Sequence, residues 1–194
     1  MYSWEDVDGA SLTLRPELTA SVVRSYIQHN LGTLSPIQRL YYSGPLFRRE
    51  RPQKGRQRQF HQFGVEAFGS NNPEQDVEII AIAWKILSLC GLANDTTLNL
   101  NSIGSNECRN NYRTALKNYL SPYIKDFSKT SQHRFDTNPL RILDTKSEKE
   151  QEILNDAPKI SDYHNKTDSI HFESLKEFLK DMDLPFSINH KLVR

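Results

Sequence analysis

The apolar positions of this chain follow two periods. Val22, Val23, Tyr26 and Ile27 recur at helical spacing. Pro16 suits the first turn of that helix, Glu17 its positive N-terminal end, and Gly32 the position past its C-terminus. The run "NPEQDVEIIAIAWKILSLCGL" predicts a second helix, with acidic residues first and Gly91 beyond its end. Its apolar part, residues 77–93, carries Lys85 and is too short to span a membrane, so a buried helix is expected, with Trp84 and the nearby isoleucines in the core. Further helical patterns cover "NECRNNYRTALKNYLSPYIKDF", residues 147–155 and residues 172–182.

Alternation replaces this period elsewhere. Residues 39–50 predict a strand in which Gly44-Pro45 argues for a sheet edge or a bulge. Residues 51–58 form a polar loop punctuated by Pro52 and Gly55, and residues 59–69 predict the returning strand. The result is an antiparallel hairpin with a long, charged tip. "TTLNLNSIG" and "LPFSINHKLVR" also have strand character and flank the helical stretch. The expected fold is α+β: a sheet-containing core over residues 1–105, a helical insertion over 106–183 and a return strand over 184–194.

The bulk properties narrow the function classes. The 194 residues suffice for one elaborated domain or two small ones, and the mean hydropathy of −0.66 is polar without being a disordered composition. A net charge of +1 gives no global attraction to nucleic acid or membrane, so any electropositive site is local. The two cysteines, Cys90 and Cys108, lack metal-motif spacing, and the acidic N-terminus lacks the apolar run of a signal peptide. A reducing cytoplasm is the expected setting. The histidines show no metal-ligand spacing, so no metal site is expected.

The hairpin carries the chemistry. In the returning strand Phe63, Val65 and Ala67 share one face, expected to pack on a core along with His61. Phe60, Gln62, Gly64, Glu66 and Phe68 share the other. Gly64 leaves room there for a ligand to approach the backbone. Arg48 and Glu50 reach the same side if the register permits. Arg48 offers a fork of donors suited to phosphate. Phe60 offers a stacking surface worth about 1–3 kcal/mol to a base. Gln62 donates and accepts, while Glu66 accepts from an amine or an imidazole N–H. Each residue alone has a bland explanation: basic loops are usually solvated tips, and a strand Phe is usually core. The combination on one face points to a ligand.

These residues resemble a known family. "FRRERPQKGRQRQFHQFGVEAFG" is similar to motif 2 of the class II aminoacyl-tRNA synthetases, in the form typical of histidyl-tRNA synthetases. "TLRPELTASVVR" resembles that family's histidine-binding loop and helix. "TNPLRILDTKSEKEQEILNDAPKISDY" resembles its helical insertion, and "INHKLVR" the approach to its Gly-Leu-Asp-Tyr-Tyr motif. The resemblance implies a partial class II catalytic core that joins histidine to ATP, with Mg2+ accompanying the ATP, and then charges tRNA(His). It implies that Glu17, Leu18 and Thr19 hold the histidine amino group, and that Arg48 grips the histidine carboxylate and the α-phosphate. Gln62 and Glu66 would contact the histidine, Glu66 reading the imidazole. Phe60 would stack on adenine, Glu50 and Arg56 would place the ATP, and Arg194 would be a second catalytic arginine. Leu18 departs from the glycine of many bacterial members. Motif 1, the usual dimer element, would precede Met1, and motif 3 and the anticodon-binding domain would follow Arg194, so the chain reads as an internal fragment of a homodimeric enzyme.

Two other classes compete. A synthetase-like regulatory subunit of histidine biosynthesis would bind histidine without needing Arg48, Glu50, Arg56 and Phe60 together. A general RNA-binding module would use the basic loop but not Gln62 and Glu66, and the near-neutral charge disfavours it. Lys117, Lys125, Lys129 and Arg134 of the helical stretch suit either a tRNA acceptor stem or plain solvent.

Overall fold

The chain begins with a small hairpin that the hydrophobic pattern does not announce. β1 (Ser3–Glu5) pairs antiparallel with β2 (Ser11–Thr13) across Asp8-Gly9, a dipeptide that favours hairpin turns. The computed structural model describes residues 1–51 and 53–192, and the chain divides into two compact units, Met1–Gln75 and Asp76–Arg194.

In the first unit, α1 (Thr19–Gln28) starts three residues later than Pro16 suggested. Glu17 still serves its N-terminus, because its Oε2 accepts from the Ala20 amide at 3.0 Å. The long hairpin follows. β3 (Gln38–Phe47) and β4 (Gln59–Phe68) pair in antiparallel register from Gln38↔Phe68 to Phe47↔Gln59, and the ladder runs through Gly44 and Pro45 without a bulge. Among the described residues β3 pairs with β4 alone.

The two faces of this hairpin are covered in the opposite sense to that expected. The face bearing Phe60, Gln62, Gly64, Glu66 and Phe68 is the covered one. Leu46, opposite Phe60, is fully buried, the Leu18 side chain packs toward Gly44, and Tyr26 of α1 stacks on Phe68 with centroids 4.5 Å apart. The Phe63 face is open: Phe63 is 59% exposed, Tyr41 is 85% exposed, and His61 is exposed too. The cause lies in the chain entering α1. Phe47 N donates to Arg15 O at 3.0 Å, and Arg15 Nε donates to Pro45 O at 2.9 Å. These bonds hold residues 15–18 against β3, and the helix follows onto the same side.

α2 (Pro73–Leu89) leads into the second unit. It closes as the sequence signals: Leu92 N reaches Leu87 O, Gly91 N reaches Ser88 O, and Gly91 takes the left-handed φ of +74°. It is less buried than its composition suggested. Val77 and Gln75 are buried, whereas Trp84 and the isoleucines are only half-buried. The two expected strands shrink to β5 (Asn99–Leu100) and β6 (Ser187–Ile188), which pair in parallel. Between them lie α3 (Asn106–Leu120), α4 (Lys129–Thr137), α5 (Glu148–Asn155) and α6 (Lys166–Asp181). α4 has no counterpart in the apolar pattern. α6 begins well before residue 172, at a capping box of Asn165 and Asp168. Among the described residues no helix is long and apolar enough to cross a membrane.

Two cores support this unit. One, with Tyr112, Leu116, Leu120, Ile142 and Ile160, joins α3 to the segments after it. The other packs Val77 of α2 and Leu100 of β5 on Phe172, Leu175 and Leu179 of α6. Two carboxylates then tie helix ends together. Asp168 accepts from Ser105 N and Oγ, at the N-terminus of α3, and from Asn165 N at that of α6. Glu150, only 2% exposed, accepts from Ser128 N at 2.7 Å and Ser131 Oγ at 2.8 Å at the N-terminus of α4, and from Thr145 Oγ1 at 2.6 Å just before α5. Burial pushes both carboxyl groups up, but the hydrogen bonds outweigh it and hold both below the ordinary carboxylate range.

The folded pKa of Glu150 is therefore the lower one. Its contribution is present at neutral pH and is lost as pH falls through that folded value. Glu150→Ala should cost about 3 kcal/mol or more in urea denaturation, because it strands buried donors. The variant should also lose part of the wild type's sensitivity to acid.

Candidate active site on the long hairpin

Arg48 continues the β3 ladder one residue past the strand, its amide donating to Arg58 O at 2.9 Å. Its side chain therefore falls on the Phe60 face, as the register allows. The guanidinium carbon lies 5.0 Å from the Phe60 ring centroid, a cation–π distance. Arg48 Nε donates to Pro16 O at 2.9 Å, which ties the strand end to the loop that precedes α1. Among the described residues the terminal nitrogens of Arg48 have no hydrogen-bond partner, and they face a cavity of about 400 Å³ lined by Arg48, Glu50, Gly55, Arg56, Gln57 and Phe60.

The loop contributes the far wall of that cavity. Arg56 N donates to Gln53 O in a tight turn, and Arg56 Nη1 meets Glu50 Oε2 at 3.1 Å. Both side chains are substantially exposed, so this ion pair contributes at most about 1 kcal/mol to stability. Its effect is positional: it holds one cation and one carboxylate at the cavity mouth. Arg48, Glu50, Arg56 and Phe60, four residues singled out on sequence, are thus brought together.

Gln62 and Glu66 follow on the same face of β4. Both are half-buried. Among the described residues the buried Gln62 Oε1 atom has no hydrogen-bond partner, which costs about 1–3 kcal/mol unless something donates to it. Gly64, between them, does not leave the bare backbone expected. A Cβ at that position would lie 2.3 Å from both Cζ and Oη of Tyr42, its cross-strand partner, so the Tyr42 ring lies over it. Tyr42 went unremarked in the sequence. Its even position on β3 was the available signal, but only the register pairs it with Gly64.

The other expected residues are placed differently. Glu17 and Thr19 sit at the start of α1, beside a separate open hollow of about 640 Å³ that Val23 and Ile27 also line. The Leu18 side chain is buried toward Gly44 of β3, which leaves only its backbone to meet a ligand. Arg194 lies outside the described residues. Among the described residues, no three His, Cys, Asp or Glu side chains cluster closely enough to hold a metal ion. Cys108 is a core residue whose thiol pKa is raised, chiefly by burial.

The mixed helix-and-strand architecture, with its long hairpin, matches the class II aminoacyl-tRNA synthetase catalytic region. The crystal structure of apo S. aureus histidyl-tRNA synthetase superposes on the whole of this chain with a TM-score of 0.76 at 39% identity, and the match covers 45% of that structure. The family model described as histidyl-tRNA synthetase matches residues 1–108. Histidine–tRNA ligases of Protochlamydia amoebophila and of a Cyanothece species are each 50% identical over all 194 residues. The chain spans 46% of the first and 45% of the second, a little under half of each. The chain belongs to the histidyl-tRNA synthetase family.

The open face of the hairpin gives a direct check. His61→Ala should change the unfolding free energy by no more than about 0.5 kcal/mol, as for exposed sites generally. Thermal or urea denaturation measures it.

Proposed function

We propose that this chain is part of the catalytic region of a histidine–tRNA ligase, which activates histidine with ATP and transfers it to tRNA(His). The observation that carries this reading is the cavity under the hairpin loop, where Arg48, Glu50, Arg56 and Phe60 converge. A binding-only relative has no use for that set. The unpartnered Gln62 Oε1 supports a ligand with N–H donors further along the same face.

Histidine lies along β4. Gln62 accepts from an N–H of the amino acid, and the Glu66 carboxylate accepts from the imidazole. By family resemblance Glu17 and Thr19, with the Leu18 backbone, hold its amino group. ATP occupies the cavity, with adenine on Phe60 and the phosphates toward Arg48. Glu50 and Arg56 steer the nucleotide at the cavity mouth. Mg2+ would accompany the ATP, and Glu50, the one carboxylate among the described residues lining the cavity, would be available to it.

In the first step the histidine carboxylate attacks the α-phosphorus, and pyrophosphate leaves. Negative charge builds on the oxygens around that phosphorus. A preplaced guanidinium that need not reorganise is the efficient stabiliser, and the Nε bond to Pro16 fixes Arg48 for that role. By family resemblance Arg194 supplies the second cation. Holding both substrates in line supplies the rest of the rate advantage.

Residues 106–183 form the inserted helical domain in this reading. The β5–β6 pairing supports it, since it brings Asn99–Leu100 beside Ser187–Ile188 at the two ends of the insertion. The working enzyme is a homodimer in the cytoplasm.

The full-length protein should exchange pyrophosphate with ATP only when histidine is supplied. Glu66→Gln should lower kcat/KM for histidine by about 100-fold or more while leaving the KM for ATP near wild type, as expected for loss of a charged hydrogen bond to the substrate. Equal exchange with other amino acids would exclude the histidine assignment.

A further inference from the structure

We propose that the Tyr42 hydroxyl is a third group that reads the amino-acid substrate, between Gln62 and Glu66. This rests on the histidine reading of that strand face, but Tyr42 is not among the residues carried over from the family resemblance.

The position follows from the register. Tyr42 stands directly opposite Gly64. A Cβ on residue 64 would meet Cζ and Oη of Tyr42 at 2.3 Å and Cε2 at 2.8 Å. The phenol therefore crosses the strand and ends over the glycine instead of leaning away along β3. Gln62 and Glu66 flank Gly64, two residues to either side on the same face. At about 3.3 Å per residue they stand roughly 13 Å apart along the strand. The Tyr42 oxygen falls within that gap.

The chemistry suits a ligand bridging the gap. Gln62 presents a buried oxygen to which no described residue donates. Glu66 accepts only, when ionised. The Tyr42 hydroxyl, which makes no hydrogen bond to any described residue, both donates and accepts. Histidine carries ring nitrogens of both kinds, and a group that can do either complements whichever nitrogen Glu66 does not engage. Gly64 is then a condition of the site, since any side chain there would displace the phenol.

The test is histidine-dependent ATP–pyrophosphate exchange by the full-length protein, comparing wild type, Tyr42→Phe and Gly64→Ala. Tyr42→Phe should raise the KM for histidine about tenfold, the loss expected for one neutral hydrogen bond to a ligand, with the KM for ATP and the Tm unchanged. Gly64→Ala should shift the KM for histidine in the same direction and at least as far, again without moving the KM for ATP. A wild-type KM for histidine in Tyr42→Phe would overturn the role of Tyr42 alone. So would a rise confined to the KM for ATP. Wild-type exchange that does not depend on histidine would instead overturn the underlying reading of the face, and the Tyr42 proposal with it.

Discussion

The site depends on the register of one hairpin. Ten pairs, from Gln38↔Phe68 to Phe47↔Gln59, decide that Leu46 stands opposite Phe60 and that Arg48 continues onto the Phe60 face. A slip of one residue would move every side chain of one strand to the other face. Arg48 would part from Phe60, and Tyr42 from Gly64. The register is held by burial on one side, through Leu46, Leu18 and the Tyr26–Phe68 stack, and by the bonds that join residues 15 and 16 to the strand end. Those same bonds bring the loop before α1 up to Arg48. The packing of the hairpin and the placing of the Arg48 side chain are here the work of the same contacts.

The helical part solves a different problem. Short helices joined by tight turns leave many amides at their N-termini without partners. Asp168 and Glu150 answer this by serving backbone amides at helix starts and, through serine and threonine hydroxyls, the segments around them. A carboxylate suits the position because it meets the positive end of a helix and accepts several hydrogen bonds at once. The arrangement fixes helices to one another without needing a large core between every pair.

Much of this was legible in the residues. The long hairpin, α1, α2, α3 and α5 follow from hydrophobic period and punctuation. Arg48 and Phe60 follow from residue type, Glu50 and Arg56 from the family resemblance, and the four share one cavity. The failures are instructive. α4 carries little apolar signal, because most of its side chains are polar and its N-terminus is anchored by Ser128 and Glu150 instead. The strand pattern around residue 99 yielded only two paired residues, since strand length depends on a partner that lies nearly ninety residues away.

The sequence by itself determined that β4 has two unlike faces, since alternation is a local property of an extended chain. It also determined the chemistry of each face, because residue type is chemistry. Only the tertiary structure decided which face is covered. Phe63 and Val65 made the better-looking core, yet the chain around Arg15 and Leu18 crosses the other side, and His61 and Phe63 face out. Only the cross-strand pairing showed that the room over Gly64 belongs to the ring of Tyr42. Both are long-range facts, set by segments more than twenty residues apart that the local pattern cannot see.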